Sequence, residues 1–418
     1  MTLDLSAEEQ AMREGDLGPA IALAMRVICR TGDAMRAERL LAITGAHIDS
    51  CLFHGQAGLD FAARLASDGA RVKVPTTLNV ASLDLVHPEL FRGPSDTGAK
   101  ARELMSHYET MGCQPTWTCA PYQLDNRPSR GEHVAWAESN AIVFANSVLG
   151  ARTHRYGDFI DICAAITGRA PAAGLHLDEN RMGQVVFDLG DLPQSVIQHG
   201  LLAPVLGHFV GGRVGALVPV IHNAPNFTED QMKSFGSAAA SSGSVGIFHV
   251  VGVTPEADTL HAALGGQAPQ TTITVTLDDL RRAWGELSTT SSEKLGAVSL
   301  GTPHYSIREF DRLLELLGSR QVDPRVHFYV NTGRGVAAEL ALRGWLGRLE
   351  KAGVQLVTDT CTYITPVMSP FDGAAMTDSP KWAYYAPGNL GVEVVFGSTE
   401  ACVESAVAGR VVGDTGPW

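Results

Sequence analysis

Short apolar segments alternate with amphipathic stretches along most of the chain. The apolar segments have the length and composition of strands, and they lie at 39–48, 71–80, 216–221, 244–251, 297–300, 326–330 and 354–357. The stretches with helical periodicity lie at 59–67, 280–287, 307–317 and 337–351. Strands and helices that alternate at this spacing predict an α/β fold, with several parallel or mixed sheets flanked by helices.

The segment 131–150 has helical periodicity and many small residues, and it predicts a long helix. Polar side chains lie among its apolar positions, at Glu138, Asn140, Asn146 and Ser147. Polar groups buried in a helix cost free energy unless they are hydrogen-bonded. Two interpretations therefore fit this segment: a partly exposed helix, or a helix that lines a polar cavity.

Several segments dense in polar residues follow the predicted strands or the polar helix. They lie at 45–55, 74–84, 116–123, 150–158, 301–306, 331–335 and 358–363. In open α/β sheets, ligands bind outside the carboxyl ends of the strands. We therefore expect these loops to contribute to one central cleft.

The composition is that of an ordinary globular protein, with 418 residues, 45% hydrophobic and 18% charged. This length predicts about two to three domains, which we divide roughly as 1–210, 211–290 and 291–418. The net charge is −13 without a cluster of Lys and Arg, which argues against nucleic acid or an anionic membrane as a partner. The N-terminus is polar, and no apolar run spans a membrane, so we predict a cytoplasmic protein.

The cysteines are scattered, at Cys29, Cys51, Cys113, Cys119, Cys163, Cys361 and Cys402. No C-x-x-C pair is present, which argues against ferredoxin-type clusters and most structural zinc sites. Those at 29, 163 and 402 lie in helical patterns and are predicted to be core residues. Those at 51, 119 and 361 lie in polar loops, where either a metal cluster or a nucleophilic cysteine beside His47 or His304 fits. The residue at 113 is ambiguous.

Arg152 and Arg155 lie in a loop between glycines, and guanidinium groups suit carboxylate or phosphate, although a solvated loop fits equally. His304 follows a Gly-Thr-Pro turn, which slightly favours a functional role. The G-x-G-x-x-G, Walker A and G-x-S-x-G motifs are absent from the sequence. Their absence weakens the case for a nicotinamide enzyme, a nucleotide-binding protein or an α/β-hydrolase.

Taken together, these segments resemble the aconitase X family from about residue 3 to residue 410. The matching runs are LSAEEQAMREGDLGPA, VPTTLNV, WTCAPYQ, AWAESNAIVFANSVLGARTHRYGDF, GTPHYS, DTCTY and YYAPGNLGVEVVFGS. The resemblance implies an aconitase-like large domain with sheets around a central cleft. It also implies a dehydration reaction and an iron–sulfur cluster, which we expect to be [2Fe-2S], [3Fe-4S] or [4Fe-4S].

The resemblance also implies roles for individual residues. We expect Cys51, Cys119 and Cys361 to bind the cluster, and Cys113 is the alternative if one of these three is not a ligand. We expect His304, Arg152 and Arg155 to take part in catalysis. The residues expected to bind a small hydroxy-acid substrate are His47, Thr77, Asn79, Tyr122, Glu138, Ser139, Asn140, Ser147 and Thr302.

The family contains two activities, the dehydration of cis-3-hydroxy-L-proline and that of mevalonate 5-phosphate. The mevalonate type has a cysteine where this chain has Thr302, and it tends to lack Cys51. Both differences favour the hydroxyproline type, with mevalonate 5-phosphate dehydration and a non-catalytic scaffold subunit as alternatives. No segment resembles the family's small swivelling domain, so we expect a separate small subunit that supplies a serine as the general base.

Overall fold

The structure is a computed structural model that describes residues 3–413 and 416–418. The chain forms two compact units. The first comprises the residues up to Leu83 together with Pro94–Met182, and the second comprises Asp84–Gly93 and the residues from Gly183 onward. The subdivision predicted from the sequence stays a prediction, although position 210 lies inside a helix.

The first unit begins with two helices whose N-termini are well defined. Ser6 caps the first helix by accepting a hydrogen bond from the Glu9 amide, and Pro19 opens the second. The helices are α1 Ala7–Glu14, α2 Pro19–Ala34, α3 Gln56–Ser67, α4 Ser95–Thr110, α5 Ser139–Ser147 and α6 Ile160–Thr167. The strands are β1 Leu40–Ala42, β2 Gly45–Ile48, β3 Thr76–Leu78, β4 Val134–Trp136 and β5 Arg169–Pro171.

A three-stranded parallel sheet of order β3-β2-β4 organises the first unit. Its register pairs His47 on the central strand with Thr77 on one side and Trp136 on the other. The strands β1 and β5 form a separate antiparallel pair. The carboxyl ends of β2, β3 and β4 therefore lie along one edge, next to the polar loops that follow them.

The second unit contains two parallel sheets. Its strands are β6 Val185–Asp188, β7 Pro219–His222, β8 His249–Val250, β9 Thr271–Thr274, β10 Leu295–Leu300, β11 His327–Thr332, β12 Val354–Thr358, β13 Ala374–Thr377 and β14 Val394–Phe396. Its helices are α7 Gln194–Ile197, α8 Leu202–Val214, α9 Glu229–Ser242, α10 Leu260–Ala263, α11 Leu277–Glu286, α12 Ile307–Leu317, α13 Arg334–Leu342, α14 Leu346–Ala352, α15 Pro380–Leu390 and α16 Thr399–Ala408.

The smaller sheet has the order β8-β7-β6-β9 and the larger one the order β12-β11-β10-β13-β14. The central strand β10 is buried along its whole length, and Phe310 and Leu313 of α12 belong to the hydrophobic core that covers its sheet. The strand order reverses between β10 and β13. This reversal makes the carboxyl ends of β10 and β13 the expected place for a ligand crevice.

The α/β class predicted from the sequence is confirmed, and several predicted elements are corrected. The segment 39–48 is not one strand, because the chain changes partners between β1 and β2. Only Thr76–Leu78 of the segment 71–80 is a strand; Pro75, just before it, has no backbone N–H to donate. The helix predicted at 337–351 is two helices, separated at Gly344, where φ is +68°.

The segment 131–150 is also different from the long helix that its periodicity predicts. Its first part forms β4, and its second part forms α5. Glu138 separates them, because its side chain accepts a hydrogen bond from the Ala141 amide and so caps the helix. Among the described residues, no helix has both the length and the apolar character needed to cross a membrane.

Candidate active site

The carboxyl edge of the three-stranded sheet brings together several residues predicted to bind substrate. His47 Nδ1 lies 2.8 Å from Thr77 Oγ1, and its ring packs at 5.9 Å from the Trp136 ring. The His47 side chain is fully buried, and burial lowers its pKa to about 3. The imidazole is therefore neutral at physiological pH.

Asp49 and Asn79 meet just beyond these strands. The Asn79 amide donates a hydrogen bond to the Asp49 carboxylate, and the Asp49 amide donates to Asp161 Oδ2 at 2.8 Å. Burial, followed by the nearby carboxylates with Glu138 first among them, raises the pKa of Asp49 to about 7. No role was assigned to Asp49 from the sequence, because its carboxylate neighbours are distant along the chain.

Glu138 connects this edge to the buried helix α5. Its Oε2 atom accepts hydrogen bonds from the Ala141 amide at 2.7 Å and from the Asn140 side chain. Tyr122 donates to Asn140 Oδ1 at 2.6 Å, and Asn140 donates to the Cys119 carbonyl at 2.9 Å. Three predicted substrate residues and one predicted cluster ligand thus share one hydrogen-bond network.

The remaining predicted residues of this helix lie at its two ends. Ser139 donates to Glu138 Oε1 at 3.3 Å, and Ser147 is buried in the last turn. The other polar residues of α5 are bonded inside the protein, which favours a buried helix over the partly exposed one considered from the sequence.

Cys51, Cys113 and Cys119 of the first unit are all buried. Cys51 Sγ donates to the Ile48 carbonyl at 3.3 Å, and burial raises the pKa of Cys51 and of Cys113 well above the usual range. Without a metal, both side chains are therefore thiols at neutral pH. Cys119 lies between Thr118 and Ala120 in the loop before the Tyr122 turn.

Arg152 lies in a network that the sequence did not reveal. Its guanidinium donates to the His176 carbonyl at 2.9 Å and pairs with Asp178. His176 Nε2 lies 2.6 Å from the Tyr156 hydroxyl, and burial lowers the pKa of His176 to about 3. Arg155 lies three residues after Arg152 in the same loop and is half-buried.

In the second unit, His304 follows β10 and Cys361 follows β12 at the carboxyl edge of the larger sheet. Both are buried, and the ligand atoms that they offer lie within 4.8 Å of each other. His304 Nε2 donates to the Thr360 carbonyl at 3.0 Å, which leaves the lone pair on Nδ1. Burial lowers the pKa of His304 to about 4, so the ring is neutral, as a metal ligand must be.

A cavity of about 540 Å³ lies at the strand-order reversal between β10 and β13, where Thr302 and Ser379 contribute to its wall. Thr302 is 4% exposed, and its Oγ1 atom has no hydrogen-bond partner among the described residues. Lys233 also lines the cavity; it donates to the His304 carbonyl at 3.3 Å and pairs with Glu309. Nothing in the sequence around Lys233 distinguishes it from an ordinary helix residue.

Three family models match the chain in order. They describe the aconitase X first domain at residues 2–179, the second domain at 183–285 and the third domain at 295–408. The chain belongs to the aconitase X family. The resemblance identified from the sequence is thereby confirmed across nearly the whole chain.

Two relatives of this aconitase X chain are named cis-3-hydroxy-L-proline dehydratase. The one from Pseudomonas aeruginosa is 43% identical, and the match covers 99% of this chain and 72% of that protein. The one from Hypocrea jecorina is 40% identical over 98% of this chain and 69% of that protein. A phosphomevalonate dehydratase large subunit from Methanothermobacter thermautotrophicus is 34% identical over 94% of this chain and 96% of that protein.

The fold also matches a solved structure. The crystal structure of Thermococcus kodakaraensis aconitase X in its holo-form superposes with a TM-score of 0.87 and 31% sequence identity. The match covers 97% of this chain and 100% of that one. The aconitase-like architecture expected from the sequence is therefore confirmed.

Proposed function

We propose that this chain is the catalytic large subunit of a hydro-lyase that dehydrates cis-3-hydroxy-L-proline. The observation that carries the proposal is the 43% identity to the Pseudomonas aeruginosa dehydratase over 99% of the chain. The reaction removes the proton at Cα and the hydroxyl group at C3, which leaves a Δ2-pyrroline-2-carboxylate. That product tautomerises to Δ1-pyrroline-2-carboxylate.

We propose that an iron–sulfur cluster is bound by Cys119 and Cys361, with Cys51 as the third expected ligand. His304 is added as a candidate because its neutral ring offers a ligand atom close to Cys361. Thiolate and imidazole donors suit such a group. When bound, a cluster with an iron short of a protein ligand supplies a Lewis acid for the departing hydroxyl group.

The chain's own residues position the substrate in this proposal. Arg155 or Arg152 binds the substrate carboxylate, which lowers the cost of negative charge at the adjacent Cα. His47, Thr77 and Asn79 contact the ring from the edge of the three-stranded sheet. The other proposed contacts are Tyr122, Glu138, Ser139, Asn140, Ser147 and Thr302.

The proton acceptor is proposed to be a serine of a separate small swivelling subunit. Support comes from the name of the Methanothermobacter thermautotrophicus relative, which is called a large subunit. Closure of a second subunit over the site would also exclude water and strengthen the electrostatic interactions there.

Mevalonate 5-phosphate dehydration is the second candidate, because several relatives at 32–34% identity are phosphomevalonate dehydratase large subunits. The test is an assay of the cluster-loaded protein, with and without its small subunit, against both substrates. We expect turnover of cis-3-hydroxy-L-proline. Turnover of mevalonate 5-phosphate alone would reverse the assignment, and binding without turnover of either substrate by the complete pair would favour the scaffold alternative.

A further inference from the structure

The loops that carry His304 and Cys361 lie on either side of one strand of the larger sheet. His304 follows β10 and Cys361 follows β12, and β11 lies between these two strands. Asn331 is the second-to-last residue of β11, and it is fully buried. The carboxyl end of β11 is therefore a place from which one residue can reach both loops.

The side chain of Asn331 is hydrogen-bonded to both loops. Its Nδ2 atom donates to the Leu300 carbonyl, where the His304 loop begins, at 2.7 Å. Its Oδ1 atom accepts from the Thr362 amide, next to Cys361, at 3.0 Å, and Nδ2 also donates to Thr362 Oγ1 at 3.3 Å. One rigid, planar amide group thus connects the two loops.

The main chain around Asn331 supports the His304 loop as well. The Tyr305 amide donates to the Asn331 carbonyl at 3.0 Å, and the Thr332 hydroxyl donates to the Tyr305 carbonyl at 2.9 Å. Gly301 has a φ of +83°, and a Cβ atom at this position would collide with the Asn331 carbonyl oxygen. The turn that leads to His304 is therefore packed directly against Asn331.

The spacing of the two loops matters because both offer ligand atoms to the same place. The ligand atoms of His304 and Cys361 lie within 4.8 Å of each other. His304 Nε2 also donates to the Thr360 carbonyl at 3.0 Å, so the direction of the ring depends on where the Cys361 loop lies. A functional site needs such groups held within about 0.5 Å of their working positions.

We propose that Asn331 is a positioning residue that sets the spacing of His304 and Cys361 for the iron–sulfur cluster, which rests on the cluster assignment in the proposed function. Asn331 acts through the two loops and contacts neither the cluster nor the substrate. The polar segment 331–335 thus contributes to the site through its first residue, by support rather than by direct contact.

The test compares the cluster-loaded wild-type chain with two variants of Asn331. Asn331→Asp keeps the size of the side chain but removes the Nδ2 donor, and Asn331→Leu removes both the donor and the acceptor. We expect an external chelator to remove iron about 10- to 100-fold faster from both variants, the loss typical of residues that orient metal ligands. The visible circular dichroism bands of the cluster should also shift.

The matched control separates positioning from a general loss of stability. Leu349→Ala in α14 removes part of the hydrophobic core that covers the same sheet, and it should therefore lower the stability of the protein. Chemical denaturation measures that loss. Because Leu349 contacts neither loop through a hydrogen bond, the variant should keep the wild-type rate of iron release and the wild-type spectrum.

A measurement on the wild-type protein does not depend on whether the variants fold. The amides of Tyr305 and Thr362 both donate to Asn331, so hydrogen–deuterium exchange at these two amides should be slow in the cluster-loaded chain. Rapid exchange at either amide would overturn the proposal even if neither variant of Asn331 folds.

The outcomes also distinguish this proposal from the proposed function. Wild-type iron release and spectra in folded Asn331 variants, or equal changes in Leu349→Ala, would overturn the role of Asn331 alone, provided that Cys361→Ser loses the cluster spectrum. A wild-type spectrum in Cys361→Ser would reject the cluster assignment and this proposal together. Faster iron release from the Asn331 variants of a protein that turns over neither substrate would reject the proposed activity and leave the role of Asn331 intact.

Discussion

Burial determines the chemical state of the histidines that lie near the predicted site residues. His47, His176 and His304 are each at most 1% exposed, and burial is the largest cause of the lowered pKa of each ring. Each ring is a neutral donor or ligand at physiological pH, and the hydrogen bond at one nitrogen sets the role of the other. The lowered pKa makes each of the three rings a weak general base at neutral pH.

The cysteines make the proposed cluster directly testable. Cys119→Ser and Cys361→Ser should each remove most of the visible absorption of the cluster, because serine is a poor ligand for iron–sulfur clusters. Cys29→Ser in α2 is the matched control and should keep the wild-type spectrum. A wild-type spectrum in Cys119→Ser would exclude Cys119 as a ligand. The spectra of Cys51→Ser and Cys113→Ser decide which of these two cysteines is the third ligand.

The two arginines should differ in their effects. Arg152 already pairs with Asp178 and the His176 carbonyl, so Arg152→Met should mainly lower the stability of the protein. Arg155→Met should lower kcat/KM by about 10² or more, since losing a bond that strengthens in the transition state costs about 2–4 kcal/mol. Steady-state kinetics and chemical denaturation of both variants check this. Normal turnover by Arg155→Met with impaired turnover by a stable Arg152→Met would reverse the roles.

His176 should make stability depend on pH. Its pKa is about 3 in the folded protein and 6.5 in the unfolded chain, so the unfolded state binds the proton first as the pH falls. The free energy of unfolding therefore decreases below pH 6.5, by about 1.4 kcal/mol per pH unit, or about 2 kcal/mol by pH 5. The free energy of unfolding, measured by chemical denaturation at pH 6.5 and at pH 5, should fall by about 2 kcal/mol less in His176→Gln than in the wild-type protein. The exposed control His54→Gln should keep the wild-type dependence, and a wild-type dependence in His176→Gln would contradict the prediction.

At the scale of elements, α5 is held by polar contacts rather than by an apolar face alone. Asn146 donates to the Thr153 carbonyl at 2.8 Å and accepts from the Thr153 amide at 3.0 Å. The buried Arg181 donates to both the side-chain and the main-chain oxygen of Asn146. The bonds fix the loop that carries Arg152 and Arg155 onto the end of the helix.

Asn146→Ala should therefore destabilise the protein by about 2–4 kcal/mol, because it leaves buried groups of Thr153 and Arg181 without partners. The free energy of unfolding from chemical denaturation measures this cost. Asn126→Ala on the exposed loop is the control and should change stability by less than about 0.5 kcal/mol. A similarly small change in Asn146→Ala would mean that water replaces the lost bonds.

At the scale of the whole molecule, we predict that the chain has little dehydratase activity by itself. Removing a general base typically loses about 10²–10⁴ in rate, and the proposed base belongs to the small subunit. Adding that subunit to the purified, cluster-loaded chain should restore turnover of cis-3-hydroxy-L-proline in the same assay. Full activity of the chain alone would place the base in this chain, and His304 would then be tested first.

The sequence by itself determined the fold class and several elements. The predicted helix 307–317 has the same bounds as α12, because its apolar positions recur at the helical period and Ser306 caps it. The loops after β2, β3, β10 and β12 were also predicted to carry the site, since a ligand crevice follows from parallel strands. Local pattern was sufficient for the fold class and for α12, whereas the assignment of the site to these loops stays a prediction.

The tertiary structure decided what depends on distant partners. The chain at 39–48 divides into two strands because each half pairs in a different sheet, and 131–150 divides because its first part pairs with β2. His176 and Lys233 were not identified from the sequence, because their partners are distant along the chain. Lys233 and Glu309, for example, are 76 residues apart in the sequence. Hydrophobic period is a property of neighbouring residues, whereas the burial of a charged side chain depends on residues that only the folded chain brings next to it.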